Sequence, residues 1–429
     1  MALSEVKKVV IIGGGFAGLE CARQLANKPT FEVTLLDRTN HHLFQPLLYQ
    51  VATATLAAPD VARSLRSILA DADNVTVLMD EVFDIDSDGK KAVGKSGKSY
   101  DYDYLVVAAG GKTSFFGNDQ WAEHTLGLKS LSDAYSVRKQ VLENLEKAEL
   151  TEDPAERARL MTIAIVGGGP TGVELSGAFV ELIQRSMSRN FRRLDTRDLK
   201  VVLVEAGPRI LPPYDEENSA YAKKRLEKLG VEVLTGTMVT DVQAGKLIMK
   251  DGEIEAGVIL WAAGVQAEAI TQKLPCEVTR AGKVTPEADL SLPGHPEIFV
   301  AGDLVQMKDI KDKMVPGVAP AASQMGRHIG KVLIAGMKPE NKGKARAGFE
   351  YWDKGAMAII GRSHAVVEFG KIRLTGFIAW MAWLFIHILF LVGYRSKISV
   401  LIHWAWNYIH DSPGVRVFAM KRDAELAEK

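Results

Sequence analysis

Two glycine-rich turns, each followed by an acidic residue, are the parts of this sequence best suited to bind a cofactor. Gly13, Gly15 and Gly18 form the first G-x-G-x-x-G motif, directly after an apolar run at 9–12 that is typical of a buried parallel strand. The first glycine permits a tight turn, the second lets a pyrophosphate approach the backbone, and the third lets the next helix pack on the strand. Asp37 ends the following apolar run, where an acidic residue hydrogen-bonds a ribose hydroxyl. The pattern predicts a dinucleotide at a helix N-terminus.

The same arrangement occurs a second time. Gly167, Gly169 and Gly172 follow the apolar run 162–166, and Glu205 ends the next apolar run. Glycine-rich turns are common, so one motif alone is weak support for nucleotide binding. Two complete strand, turn, helix and acid units predict a chain that binds two nucleotide cofactors.

Further residues at predicted strand ends complete these sites. Gly110 and Gly264 each follow a strand that ends in small residues, and Asp303 follows Gly302 after the apolar run 298–300. Ligands of α/β sheets bind at the carboxyl ends of the strands, so Asp303 is placed to hold a cofactor. A helix is predicted from Ala319 to about residue 335, with Pro320 in its first turn.

The composition limits the function classes. The chain has 429 residues, enough for two or three domains, with 53 basic and 53 acidic side chains. The balanced charge argues against a nucleic-acid binder. Cys21 and Cys276 form neither a C-x-x-C pair nor a metal cluster, so we predict no metal site and a reducing compartment. The first strand begins within ten residues of Met1, which predicts a cytoplasmic protein without a signal peptide.

Two apolar segments are open to more than one interpretation. Residues 41–52 are either a packed loop or a wall beside a cofactor. Residues 374–394 carry no charged side chain; as one helix they would be about 31 Å long, close to the ~30 Å of a bilayer core. An aromatic stripe in this segment and a second, shorter amphipathic helix at 398–410 favour an anchor lying in the membrane plane over a spanning hairpin. A buried dimer interface is the structural alternative.

The chain resembles the two-dinucleotide-binding-domain flavoproteins and, within them, the type II NADH:quinone oxidoreductases, over nearly its full length. The resemblance implies a set of residues for each ligand. FAD is held by Gly13, Gly15, Gly18, Asp37, Gly110, Gly302, Asp303 and Ala319, and NADH by Gly167, Gly169, Gly172, Glu205 and Gly264. The quinone lies near Gln45, Pro46, Tyr49, Pro320 and Gln324.

The resemblance also implies two catalytic side chains. Glu174 matches a family glutamate near the contact between nicotinamide and flavin; otherwise it is a carboxylate on a helix surface. Gln324 ends the family's A-Q-x-A-x-Q quinone motif, in which Pro320 replaces the first glutamine here. Any role that requires both amides is therefore in doubt.

These observations predict an α/β chain with two Rossmann-like domains and a C-terminal amphipathic, membrane-anchoring helical region. The expected boundaries are 1–115 and 291–345 for FAD, 116–290 for NADH, and 346–429 for the membrane region. The expected enzyme passes electrons from NADH through FAD to a membrane quinone without pumping protons, as a peripheral homodimer on the cytoplasmic face of the inner membrane. The alternatives are an NADH-binding flavoprotein sensor, a soluble electron-carrier reductase and, with less support because redox cysteines are missing, a sulfide:quinone oxidoreductase.

Overall fold

The computed structural model describes residues 6–188, 190–410 and 414–417. The strands, numbered along the chain, are β1 Lys7–Ile12, β2 Phe31–Asp37, β3 His41–Leu43, β4 Ala62–Ser64, β5 Val75–Met79, β6 Val82–Asp86, β7 Lys91–Gly94, β8 Ser99–Asp101, β9 Tyr104–Val107, β10 Gly111–Thr113, β11 Thr162–Val166, β12 Lys200–Glu205, β13 Val231–Thr235, β14 Val239–Gln243, β15 Lys246–Met249, β16 Gly252–Glu255, β17 Val258–Trp261, β18 Val265–Ala267, β19 Ser291–Leu292, β20 His295–Val300, β21 Ala356–Ile359, β22 Ala365–Phe369 and β23 Ile372–Thr375.

The α-helices are α1 Phe16–Leu25, α2 Leu48–Ala52, α3 Ala58–Val61, α4 Leu65–Ile68, α5 Leu131–Leu150, α6 Pro154–Leu160, α7 Pro170–Val180, α8 Glu216–Leu229, α9 Ala319–Gly336, α10 Gly376–Phe390 and α11 Tyr394–His410. A π-helical turn, Glu181–Ser186, continues α7. Short 3₁₀ turns are found at Gln45–Leu47, Asp119–His124, Thr196–Asp198, Ala269–Lys273, Gly302–Leu304 and Pro339–Asn341.

The described chain divides into two compact units. The first comprises residues up to Leu43 with Ala62–Ser114 and Val265–Lys354, and the second comprises Phe44–Val61, Phe115–Gly264 and the residues from Gly355 onward. This division differs from the expected domain boundaries in three places: 44–61 lie with the second unit, 346–354 lie with the first unit, and 265–290 also lie with the first unit. There β18 pairs with β10, so the chain returns to the first unit directly after Gly264.

The first unit contains a six-stranded sheet in the order β19-β20-β9-β1-β2-β5. Its five strands from β20 to β5 are parallel, and their order is that of a Rossmann fold. Uninterrupted apolar runs such as Val9–Ile12 form these strands because both faces of the sheet are covered. Helices α1 and α9 pack closely, since Gly326 leaves no side chain against the carbonyl of Ala17.

The second unit repeats this pattern with the parallel sheet β13-β12-β11-β17. Each unit also carries a three-stranded antiparallel sheet inserted between two strands of its parallel sheet: β6-β7-β8 between β5 and β9, and β14-β15-β16 between β13 and β17. The predicted succession of short strands over 75–107 is confirmed by β5 to β9. The second unit has a further sheet, β21-β22-β23, which the sequence analysis did not predict.

Two helices follow this last sheet, and their bounds differ from those predicted. The uncharged segment 374–394 does not form one long helix, because α10 ends at Phe390 and Gly393 takes a positive φ before α11 begins at Tyr394. The second helix therefore starts four residues earlier than expected. With 15 residues, α10 is about 22 Å long, shorter than a bilayer core. Among the described residues, no helix is both long enough and apolar enough to span a bilayer.

Candidate active site

The first glycine motif has the geometry of a phosphate-binding turn. Gly13 adopts a φ of +101°, and a Cβ there would lie 2.3 Å from the carbonyl oxygen of Ala108. A Cβ on Gly18 would lie 1.8 Å from the oxygen of Gly13, so α1 can pack this close to β1 only with glycine. Gly15, in contrast, faces open space at the N-terminus of α1. The turn therefore offers bare backbone and a positive helix end to an anion.

Asp37 is held in place beside this turn by the backbone. Its Oδ2 accepts a hydrogen bond from the Gly14 N–H (2.6 Å), and its Oδ1 accepts from the N–H and hydroxyl of Thr39 (2.6 and 2.7 Å). The carboxylate is only part-buried, so its remaining lone pairs are available to the hydroxyls of a ribose.

The second motif repeats this geometry in the second unit. Gly167 has a φ of +109°, a Cβ on Gly172 would lie 1.9 Å from the oxygen of Gly167, and Gly169 faces open space. Glu205 accepts hydrogen bonds from the N–H groups of Gly168 and Gly207, both at 2.6 Å. Each unit therefore contains one complete site that fits a dinucleotide. Gly264 follows β17 with a positive φ of 72°.

The carboxyl edge of the first sheet brings the remaining predicted flavin residues together. A Cβ on Gly302 would lie 3.6 Å from that of Ala322 and 3.8 Å from that of Ala17, so the first turns of α9 and α1 converge at Gly302. Asp303 follows directly, and its Oδ1 would be 3.7 Å from a Cβ on Gly317. The predicted start of α9 at Ala319, with Pro320 in its first turn, is confirmed. Gly110 has a φ of +80° and open space around it, which again leaves backbone accessible.

The Gln324 side chain is fully engaged in the first unit. Its Nε2 donates to the Trp352 carbonyl and its Oε1 accepts from the Trp352 N–H, both at 3.0 Å. This two-way pairing ties the segment around Trp352 to α9. The amide therefore positions backbone in this structure, and the catalytic role implied for it by the resemblance stays a prediction.

Glu174 lies in α7 as a buried carboxyl, not on the helix surface. Burial raises its pKa to about 8. A weak hydrogen bond from the Ile359 N–H (3.4 Å) and the nearby Trp383 side chain act in the opposite direction and lower the pKa. Tyr49 is buried in the same region, and burial together with the Glu174 carboxyl raises the pKa of its phenol. Glu174 is thus protonated at neutral pH, and it can hold a proton in an apolar setting.

These two residues line a cavity of about 740 Å³ in the second unit, which we call the apolar cavity. Helices α10 and α11 contribute the largest group of apolar side chains to its wall. Its polar lining includes the amide of Gln50, the carboxyl of Glu181 and the guanidinium of Arg362. A cavity of this size, apolar with few polar groups, is typical of a small-molecule site.

Polar hydrogen bonds and ring contacts fix the wall formed by the 44–52 segment. The Trp404 indole donates to Gln50 Oε1 (2.7 Å), and Gln50 Nε2 donates to the Tyr49 hydroxyl (2.8 Å). The Trp383 ring packs edge-on against Tyr49 and stacks on His387 at 3.8 Å. The interpretation of this segment as a wall of a ligand site is therefore favoured for Tyr49.

Not all residues expected near the quinone line this cavity. Gln45 is exposed and donates to the Lys129 carbonyl (3.2 Å), and Pro46 is the second residue of the 3₁₀ turn Gln45–Leu47. Sequence reasoning missed Gln50, Glu181 and Trp404. Two signals pointed to a ligand wall without singling out these residues: the apolar segment that contains Gln50 and the uncharged, Trp-rich C-terminal sequence.

The cysteines do not form a redox site in the described part of the chain. Cys21 is buried in α1, and burial raises the pKa of its thiol to about 12. Cys276 is a free thiol whose pKa is raised by burial. A disulfide mechanism needs a reactive thiolate, so this chemistry has no support here. No cluster of metal-ligating side chains occurs among the described residues.

Comparisons with known proteins agree with this geometry. The sequence profile of the pyridine nucleotide-disulphide oxidoreductase family matches residues 7–326. The chain is 39% identical to the type II NADH:quinone oxidoreductase Ndh of Mycobacterium tuberculosis, covering 98% of this chain and 93% of that protein. It is 41% identical to NdhA of the same organism, covering 95% and 88%. The structure of NDH2 from Plasmodium falciparum in complex with NADH has the same fold, with a TM-score of 0.87 at 21% identity over 96% of this chain and all of that one.

The two glycine turns and the carboxylates beside them fit the two nucleotides that the family uses, and the identities extend over both units. The chain belongs to the type II NADH:quinone oxidoreductases, a group of pyridine nucleotide-disulphide oxidoreductases that use FAD and NADH.

Proposed function

We propose that this enzyme oxidises NADH at the second glycine motif and reduces a membrane quinone that enters the apolar cavity. The names of the two mycobacterial relatives support the reaction, and the cavity in the second unit supports the quinone. FAD, when bound, supplies the hydride and electron transfer. The protein binds and orients both substrates, excludes water and handles protons.

The site assignments follow the geometry of each unit. We assign FAD to the first motif, with Asp37 on the adenosine ribose and Asp303 on the ribityl chain. NADH is assigned to the second motif, with Glu205 on its ribose. Backbone N–H groups orient the carboxylates of Asp37 and Glu205, so the positions of these two side chains do not depend on a bound ligand.

Quinone binding is supported by the mixed lining of the apolar cavity. A long isoprenoid chain would pack on the apolar side chains of α10 and α11, whereas the quinone oxygens would meet polar groups around Gln50 and Glu174. Quinone reduction consumes two protons, and Glu174 carries one at neutral pH because its pKa is about 8. We infer that Glu174 donates a proton to the reduced quinone.

The outer faces of α10 and α11 support attachment to a membrane surface. Both helices turn apolar side chains outward: Ile378, Leu389 and Ile402, which do not line the apolar cavity, are 68%, 52% and 61% exposed. An apolar face of this extent is unusual for a protein surrounded only by water, and it is typical of helices that lie in a bilayer interface.

The polar face of α11 packs on the protein. In an amphipathic helix at a water-exposed surface, in contrast, the polar side chains face outward. Ser399 donates to Asp60 Oδ1 (2.6 Å), and His403 Nδ1 lies 3.1 Å from Asp60 Oδ2. Asn407, one turn further on, donates to the Thr55 carbonyl (3.5 Å). Ser399, His403 and Asn407 therefore lie on the side of α11 that contacts the rest of the unit. These contacts leave the apolar side free to enter the acyl boundary.

Two finer proposals concern the cellular setting. We place the enzyme on the cytoplasmic face of the inner membrane, because NADH is a soluble intracellular cofactor and the attachment is peripheral. We also propose a homodimer. Part of the apolar surface of α10 and α11 would then cover the partner instead of entering lipid.

Charge substitutions on the outward face test the membrane proposal in the intact chain. Ile398→Glu with Ile402→Glu, at two exposed positions of α11 that do not line the apolar cavity, should reduce flotation with liposomes and activity toward a long-chain quinone, while NADH-dependent ferricyanide reduction is kept. Leu150→Glu, at an exposed apolar position of α5, is the matched control. Unchanged flotation of the double variant would rule out this face as the anchor.

A flavoprotein sensor is the main alternative of a different class. It would also bind FAD and NADH, but it would turn over slowly. The visible spectrum after NADH addition without quinone should bleach at once, and rapid steady-state turnover with a short-chain quinone should follow. Bleaching without turnover would favour the sensor.

A further inference from the structure

The residue between the first two glycines of each motif, Gly14 in one unit and Gly168 in the other, is held by hydrogen bonds at both its N–H and its carbonyl, but the two units use different donors for the carbonyl. We propose that His42 is a positioning residue for FAD: its neutral imidazole holds the Gly14 carbonyl and so fixes the phosphate-binding turn, a hold that acid releases. The inference rests on the assignment of the first motif to FAD.

The contacts of Gly14 show how this hold is made. The Gly14 N–H donates to Asp37 Oδ2 (2.6 Å), and the Gly14 carbonyl accepts from His42 Nδ1 (3.0 Å). His42 lies in the short strand β3 and is 2% exposed. The peptide groups on both sides of Gly14 are thereby fixed, one by a carboxylate and one by an imidazole. The next residue, Gly15, is the one with open space toward the ligand.

The second motif provides an internal comparison. The Gly168 N–H donates to Glu205 Oε2 (2.6 Å), as in the first motif. The Gly168 carbonyl, however, accepts from the Leu211 backbone N–H at 2.7 Å. A backbone amide does not titrate, so the carbonyl contact at the turn assigned to NADH is independent of pH. Only the turn assigned to FAD uses an ionisable donor for the same carbonyl.

The surroundings of His42 favour one protonation state. Because a carbonyl can only accept, Nδ1 must carry the hydrogen and Nε2 is then a bare acceptor. Nε2 is buried and has no hydrogen-bond partner within the described residues. Phe16 packs edge-on against the ring with centroids 5.0 Å apart. A proton added at Nε2 would be a charged donor in an apolar space without an acceptor.

The nearby charges do not reverse this preference. Burial is the largest influence and lowers the pKa of His42, and the Arg23 guanidinium lowers it too. The Gly14 carbonyl, Glu20 and Asp37 act in the opposite direction. The held turn therefore binds fewer protons than a released one. The hold is complete above the ordinary histidine pKa of 6.5 and is lost as the pH falls toward the lowered value.

Loss of FAD as a function of pH tests the proposal without measuring turnover. Released FAD is followed by its fluorescence at pH 7.5 and pH 5, with the melting temperature measured in parallel. The wild type should release FAD faster at pH 5. His42→Leu removes the donor and should release FAD about tenfold faster at pH 7.5. His42→Asn keeps a neutral N–H near the Nδ1 position and should restore most of the FAD retention at pH 7.5. Because asparagine does not titrate, the part of the FAD loss at pH 5 that comes from His42 should be absent in this variant.

The matched control is His328→Gln. His328 lies in α9 of the same unit, its Nε2 is 3.0 Å from the Ala347 carbonyl, and burial lowers its pKa as well, but it does not touch the glycine turn. This control should keep the wild-type pH dependence. The proposal is overturned if His42→Leu retains FAD as the wild type does, or if His42→Asn keeps the full pH dependence. If His42→Leu does not fold, the His42→Asn profile decides alone.

Discussion

Replacing Glu174 by glutamine should make the protein more stable at alkaline pH. The buried carboxyl has a pKa of about 8 in the folded protein, against an ordinary value of 4.5. The folded state therefore binds one more proton than the unfolded state between pH 4.5 and 8, and this site lowers stability as the pH rises through that window. At 1.36 kcal/mol for each pH unit, the whole window is worth about 5 kcal/mol, which is an upper bound because relaxation and water entry reduce it. Glutamine has no such proton to lose.

The assay is thermal unfolding of the FAD-loaded protein at pH 5, 7 and 8.5. The melting temperature of Glu174→Gln relative to the wild type should rise by several degrees from pH 5 to pH 8.5. The difference between the two proteins isolates this site, since Glu181, whose pKa is also raised by burial, titrates in both. Glu146→Gln, at an exposed position of α5, should follow the wild type at every pH. A constant difference between Glu174→Gln and the wild type would refute the assignment of a proton to Glu174.

Two further predictions concern the nucleotide sites. Glu205→Gln should narrow the preference for NADH over NADPH by about tenfold or more, since a carboxylate repels a 2′-phosphate. Arg209 already donates to the carbonyls of Tyr214 and Pro212, so this arginine should not convert the variant to an NADPH enzyme. Equal wild-type kcat/KM values for the two cofactors would contradict this prediction. Asp303→Ala should weaken FAD binding by about 1.5–3 kcal/mol, the loss of a charged hydrogen bond; the FAD-to-protein absorbance ratio checks this, and a variant with full FAD and full activity would show that Asp303 does not hold the flavin.

The Rossmann elements could be predicted from the sequence because their signals are local. The strand Thr162–Val166 has the bounds predicted for it, and α1 differs by one residue at each end. In both cases an uninterrupted apolar run meets glycines with fixed spacing. The acids Asp37 and Glu205 could be placed as well, since a strand end fixes their position.

The apolar cavity could not be predicted, because it depends on contacts between distant segments. Gln50 and Trp404 are separated by more than 350 positions, and nothing in either local sequence indicates their hydrogen bond. The burial of Glu174 has the same origin: β21 and α10 cover a position that looks exposed on an isolated helix. The end of α10 at Phe390 was missed because an uncharged segment says little about where a helix stops.

We propose that quinone enters the enzyme through the apolar cavity, and the two half-reactions test this proposal directly. Ala178→Phe and Ala405→Trp place bulk in the cavity, and Ala155→Phe at an exposed position of α6 is the control. Stopped-flow spectroscopy measures flavin bleaching by NADH and then its reoxidation by a long-chain quinone in liposomes. We predict that bleaching stays at the wild-type rate in all variants and that reoxidation slows at least tenfold in the two cavity variants only. Reoxidation at the wild-type rate with the cavity filled would contradict this account.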